Sequence, residues 1–184
     1  MSLCEKNWKK PQTKEHLKVN KNMINQEELG QFPRFKKLHG QHLLGIDYGS
    51  KVIGLATFCP GRDPAPAPYD RIIVKSIKDS MQNIHRVIDD EIIDGLVFGL
   101  PLYADKTLSP MAKEVQTFAQ QLSTSIEDIK IYFQDETLTS YKAEERMKSS
   151  AAYNFQVDPK RIDSLSAAII LEDFIKSTEK IKKL

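Results

Sequence analysis

The stretch His42–Phe58, HLLGIDYGSKVIGLATF, decides the fold. Its first six residues, His42 to Asp47, read as a strand, Gly49 and Ser50 supply a turn, and Val52 to Phe58 form a second apolar run. The spacing predicts a hairpin whose first strand ends on a carboxylate. Beyond it, Pro60 to Pro68 holds four prolines and a glycine, a composition that opposes regular structure. A third strand resumes over Arg71 to Ser76. Ile84, Val87, Ile88 and Ile92 recur at helical spacing, and Leu96 to Phe98 form a short buried strand closed by Gly99 and Pro101. Ser109-Pro110 pairs an N-cap with proline at the first helical position, ahead of the stripe Met111, Val115, Phe118, Ala119 and Leu122. Ile129 to Phe133 gives a fifth strand. Helices over Ser140–Lys148 and Ile162–Lys176 flank a polar loop from Ser149 to Lys160. Three strands, then helix, strand, helix, strand, helix, helix, predict the α/β class. The expected architecture is a mixed five-stranded sheet flanked by helices, its first three strands antiparallel and its later ones joined by right-handed parallel crossovers.

Composition narrows the function. Of the 184 residues 40% are hydrophobic, and the apolar runs fall far short of a membrane span. The charged start Met1–Lys10 has no apolar signal core, and Cys4 and Cys59 offer neither a disulfide framework nor paired metal spacing, so a reducing cytoplasm is expected. Residues 1–42 hold nine Lys/Arg against four Asp/Glu, which leaves 18 against 21 for the rest. The first part is thus +5 and the body −3. Residues 1–41 read as a basic, mostly disordered extension with room for a short helix near Asn25 to Phe32, and residues 42–184 as one domain. A basic arm on an acidic body can reach a nucleic-acid backbone; a merely solvated tail is the plainer alternative.

The chemistry rests on carboxylates. Asp47 ends the first strand between glycines, where it either bonds the turn backbone or works on a substrate. Asp135 and Glu136 end the fifth strand and leave the sheet on opposite faces, so only one can face Asp47, and Glu136 is chosen. Asp163 lies in the first turn of the last helix, where the helix dipole alone would favour it; Ala167 and Ala168 let that helix approach the sheet. Three carboxylates within ~5 Å would repel by roughly 3 kcal/mol per pair at an effective dielectric near 20. Such a cluster asks for a divalent cation, and an all-oxygen set suits Mg²⁺ or Mn²⁺. Hydrolysis of a phosphodiester follows from that chemistry. Lys51, Lys106, Lys142, Arg146, Lys160 and Arg161 stand beside these segments as candidate phosphate contacts. His16, His39, His42 and His85 form no recognisable nucleophile arrangement, and no Walker or dinucleotide motif occurs.

Four segments together resemble the YqgF family. They are Gly45 to Ala56, Gly99-Leu100-Pro101-Leu102, Asp135-Glu136-Thr137-Leu138-Thr139-Ser140, and Ile162-Asp163-Ser164-Leu165-Ser166-Ala167-Ala168. The resemblance implies a ribonuclease-H-like fold and the activity of a pre-16S ribosomal RNA nuclease related to Holliday-junction resolvases. It implies Asp47, Glu136 and Asp163 as the catalytic and metal-binding acids, with Asp135, Thr139, Gly49, Gly99 and Pro101 as support. The implied partner is nucleic acid, a ribosomal RNA precursor ahead of a DNA junction, with ribosome-associated proteins nearby and no membrane. A non-catalytic nucleic-acid-binding module is the alternative. Two positions depart from the family: Thr137 stands where an arginine is usual, and Lys106 where a glycine follows the loop acid.

Overall fold

A computed structural model describes residues 26–126, 128–136, 139–178 and 182–183. Strands β1 (Leu43–Tyr48), β2 (Val52–Phe58), β3 (Ala67–Ile73), β4 (Gly95–Leu100), β5 (Lys130–Asp135) and the two-residue β6 (Lys182–Lys183) lie in the order β3-β2-β1-β4-β5-β6. β1–β2 and β2–β3 are antiparallel, whereas β1–β4 and β4–β5 are parallel. This is the expected mixed sheet, with β6 added along the outer edge of β5. β3 begins earlier than expected, taking Ala67 and Pro68 out of the proline-rich loop; as an edge strand it tolerates a residue without an N–H, and the register shifts beside the Ala56–Pro68 pair.

Among the described residues six α-helices complete the fold: α1 (Gln26–Leu29), α2 (Pro33–Lys37), α3 (Ile77–Glu91), α4 (Pro110–Ser123), α5 (Thr139–Lys148) and α6 (Ile162–Lys176), with a 3-10 turn at Ala151–Tyr153. Ser109 caps α4 as its sequence predicts, its hydroxyl accepting from the Ala112 N–H at 3.0 Å. α3 and α4 cover one face of the sheet, where Leu44, Ile46, Ile53, Leu96 and Phe98 meet Ile84, Val115 and Phe118. α6 covers the other. It is apolar almost all round because it is enclosed on every side: Ala167, Ala168 and Leu171 belong to the core with Leu43 and Val97, Leu165 and Ile169 meet α5, and Phe174 and Ile175 meet α1 and α2.

The short helix allowed near Asn25 to Phe32 is α1, but the expectation of disorder over the rest of residues 26–41 fails. Leu29, Phe35 and Leu38 are buried in the α6 core, and the Arg34 guanidinium donates to the Phe174 carbonyl at 2.7 Å while lying over the Phe174 ring. Burying three large apolar side chains contributes several kcal/mol against the entropy cost of ordering this segment. Residues 1–25, which carry the rest of that expectation, lie outside the described residues. Among the described residues no helix is long and apolar enough to cross a membrane.

The seat of α6 depends on missing side chains. A Cβ on Gly45 would come within 2.7 Å of the Ala167 carbonyl oxygen, and one on Gly54 within 2.1 Å of the Asp163 carbonyl oxygen. Gly54→Ala is therefore expected to lower unfolding free energy by ~3 kcal/mol in urea titration, by lifting α6 from the sheet. Gly40→Ala, where the added atom meets open space, should cost only ~1 kcal/mol through its positive φ. Equal losses at the two positions would contradict this packing account.

Candidate active site

Alternation along β1 sets the site. Leu44 and Ile46 point into the α3–α4 core, so Gly45 and Asp47 point toward α6. Across the sheet Asp47 pairs with Gly54 of β2, and Gly54 pairs with Arg71 of β3. On the other side Ile46 pairs with Phe98 of β4, which makes Gly99 the next residue of that row. Asp47 thus has a bare glycine to each side. The Asp163 backbone rests on Gly54, and the Glu136 carboxylate rests on Gly99, where a Cβ would stand 1.9 Å from Oε2. Three acids remote in sequence are gathered over one row of the sheet because two positions in that row lack side chains.

Glu136 is fixed by its backbone. Its N–H donates to the Leu100 carbonyl at 3.3 Å, and its own carbonyl accepts from the Thr139 N–H at 3.0 Å and from the Thr139 hydroxyl at 2.8 Å. Thr139 is buried and opens α5, and its two bonds clamp the backbone of Glu136. Pro101 accepts at its carbonyl from the Ser109 hydroxyl, tying the Gly99–Pro101 turn to the cap of α4. Gly49 donates its N–H to the Val52 carbonyl at 3.0 Å, closing the β1–β2 turn so tightly that a Cβ would meet that oxygen.

The electrostatics match this crowding. Burial pushes Asp47 up to about 7, with the Asp163 charge adding to the rise; a long contact from the Ser166 hydroxyl, itself short of any hydrogen bond, pulls the other way. Burial pushes Glu136 up to about 8, helped by Asp47 and then Asp135. Asp163 is also raised by burial, against the pull of Arg71 and its own backbone N–H. Glu136 Oε2 is buried without a hydrogen-bond partner among the described residues. An all-oxygen, electrostatically coupled set with one orphaned oxygen has the donor chemistry of a hard divalent cation. The acids do not close on one point, however. Among the described residues no group of three His, Cys, Asp or Glu is arranged to hold an ion. Like charges in a low-dielectric surround favour separation, so the expected convergence is pairwise, with Asp47 in the middle.

The basic candidates divide. Lys106 donates from Nζ to Asp135 Oδ2, at the same strand end as Glu136 but on the opposite face of the sheet. It sits at φ +65° at the end of the Tyr103–Lys106 turn, a left-handed position that explains why glycine would suit it. Lys142 pairs with Asp173 at 2.9 Å, and Arg146 holds the buried Glu172 with two bonds of 2.7 and 3.0 Å. Both meet α6 roughly 14 Å along its axis from Asp163. Arg146 is thus a structural partner of a buried carboxylate, and its assignment as a phosphate contact is corrected. Arg161 lies 4.4 Å over the Tyr153 ring, while Lys51 and Lys160 are exposed. Thr137 and Leu138 lie outside the described residues. Sequence reading missed Gly54, Arg71 and Ser166 as parts of the candidate site; a charged residue heading the apolar run Ile72–Val74 was the available sign for Arg71.

Comparisons with known proteins identify the family and the fold. A family profile described as "RuvX: Holliday junction resolvase" matches residues 41–177. A protein of Crocosphaera subtropica named "Putative pre-16S rRNA nuclease" is 36% identical over 132 residues, covering 72% of this chain and 90% of its own. One of the same name from Roseiflexus sp. is 34% identical over 139 residues, covering 73% and 94%. Thermus thermophilus RuvC, solved with a Holliday junction substrate, superposes with a TM-score of 0.53 at 9% identity over 78% of this chain and 99% of that one, a likeness of fold.

Because the folded state holds protons on Asp47 and Glu136 that the unfolded chain loses near pH 4, stability should fall as pH rises from about 4 to about 8 and level off above. Urea unfolding in chelator at pH 5 and pH 8.5 checks this: Asp47→Asn and Glu136→Gln should each flatten the fall. An unchanged pH dependence in both variants would remove the pair as its cause.

Proposed function

Because this chain belongs to the RuvX family, described as Holliday junction resolvase, we propose that its acidic face is a nuclease site hydrolysing phosphodiester bonds in structured nucleic acid. The preferred substrate is a precursor of 16S ribosomal RNA, the molecule named for its relatives from Crocosphaera and Roseiflexus. One observation carries the chemistry: Asp47 stands between two bare glycines, with Asp163 seated on one and Glu136 on the other. A core gains nothing from that arrangement. Packing alone would have favoured apolar side chains at such positions, since each buried carboxylate costs several kcal/mol.

Asp47, Glu136 and Asp163 would hold Mg²⁺ or Mn²⁺. A bound ion of this kind supplies Lewis-acid polarisation of the phosphodiester and a more acidic attacking water. To serve as ligands, Asp47 and Glu136 must give up the protons that burial favours, so activity should rise with pH through the range of 7 to 8. The Thr139 clamp keeps Glu136 aimed over Gly99, and the first turn of α6 places Asp163 where the helix dipole supports its charged form. Asp135, held by Lys106, stands on the far side of Glu136 and adds to the upward push on it. This reading places the protein in ribosome biogenesis, in the cytoplasm, beside ribosome-associated proteins.

Cleavage of a 16S precursor RNA and of a four-way DNA junction should be compared with Mg²⁺, Mn²⁺ or chelator. Metal-dependent cutting of the RNA, lost in Asp47→Asn at a normal fold, is expected. Cutting of the junction alone would instead make the chain a DNA resolvase, and retained cutting by Asp47→Asn would remove that residue from the chemistry. In parallel, Mg²⁺ at ten times its dissociation constant should stabilise the wild type by about 1.4 kcal/mol at pH 8, and Asp47→Asn by far less.

A further inference from the structure

We propose that Arg71 grips a phosphate of the substrate nucleic acid beside the three acids, as a substrate-binding residue of this site. The inference rests on the nuclease reading above and extends it to a residue outside the acidic set. Arg71 stands in the cross-strand row Asp47–Gly54–Arg71, so its side chain leaves the sheet on the same face as Asp47. The residue between them is glycine, and what fills its place is the Asp163 backbone. Arg71 therefore borders the acids with no side chain interposed from the sheet. β3 is the edge strand, so nothing further in the sheet covers that flank.

Four of the other candidate cations are engaged, while Lys51 and Lys160 are exposed. Lys106 is bound to Asp135, Lys142 to Asp173 and Arg146 to Glu172, and Arg161 lies over Tyr153. Arg71 is half-buried, and its guanidinium makes no hydrogen bond or ion pair among the described residues, although its charge reaches Asp163. Restricting a guanidinium without giving it a partner is unfavourable unless a ligand completes it. Its planar fork fits a phosphodiester in two-point contact. An acidic face repels a phosphate backbone, and one cation at the end of the row offsets that repulsion where the backbone must lie.

The test separates phosphate binding from a purely structural influence on Asp163. Binding of labelled 16S precursor RNA and four-way DNA junction is measured in chelator, where no cleavage occurs, over a range of salt. Arg71→Gln should weaken binding of whichever probe the wild type holds by about tenfold. It should also reduce the slope of log affinity against log salt by about one, the signature of one lost phosphate contact. Arg71→Lys should keep the slope and lose part of the affinity. Asp47→Asn should bind at least as well as the wild type. Unchanged affinity and slope in a folded Arg71→Gln protein would overturn the proposal. If that variant does not fold, Arg71→Lys decides: weaker binding at equal slope supports the contact, and equal affinity overturns it. Wild-type protein that holds neither probe would overturn the nuclease reading itself, and this proposal with it.

Discussion

The structure hangs on the contact between the backbone of α6 and the backbones of β1 and β2. Main chain meets main chain there because Gly45 and Gly54 carry no side chains, and the Ala167 and Asp163 carbonyls occupy the space that Cβ atoms would need. Everything on that face takes its position from α6. The core of Leu43, Phe58 and Val97 closes under it, α5 packs along it through Ala143 and Met147, and α1 and α2 fold against its far end. The buried Glu172 then requires Arg146, since a carboxylate inside the protein without a partner would cost several kcal/mol.

That same contact creates the conflict at the site. Bringing α6 down on Gly54 brings Asp163 to Asp47, and the parallel crossover through β4 and β5 brings Glu136 over Gly99 from the other side. Burial raises the affinity of all three carboxylates for protons, Asp163 adds to the rise at Asp47 and Asp47 to that at Glu136, and the fold tolerates this because the rest of the sheet is so well buried. The strain is electrostatic rather than conformational. No residue of the acidic set has a left-handed backbone; that burden falls on Lys106 in the neighbouring loop.

Much of this was legible in the sequence because it is periodic or local. The alternation in His42–Phe58 and the caps at Ser109 and Pro110 identify elements without knowledge of their neighbours, and β1, β2 and α4 lie where those signals place them. Asp47, Glu136 and Asp163 stood out because each is polar at the end of an apolar element. What was illegible depends on pairing. Arg71 joins the site through register with Gly54, a relation between two strands separated by an irregular loop with an unpredictable length of return. Arg146 read as a free cation because its partner Glu172 comes 26 residues later and on another helix. Leu29, Phe35 and Leu38 are too sparse to show a period, and they order only because α6 offers them a surface.

The fastening of α6 at both ends gives it the properties of a lever. Its first turn carries Asp163, and its last turn is held by the Arg34 guanidinium on the Phe174 carbonyl. The two points are eleven residues apart, or about 16 Å along a rigid helix, so a tilt of ~4° at one end displaces the other by ~1 Å. A misplacement of that size at a reacting centre is worth ~100-fold in rate. A segment before β1 that touches none of the acids is therefore mechanically connected to them, and changes in it can set the speed of a site they never approach.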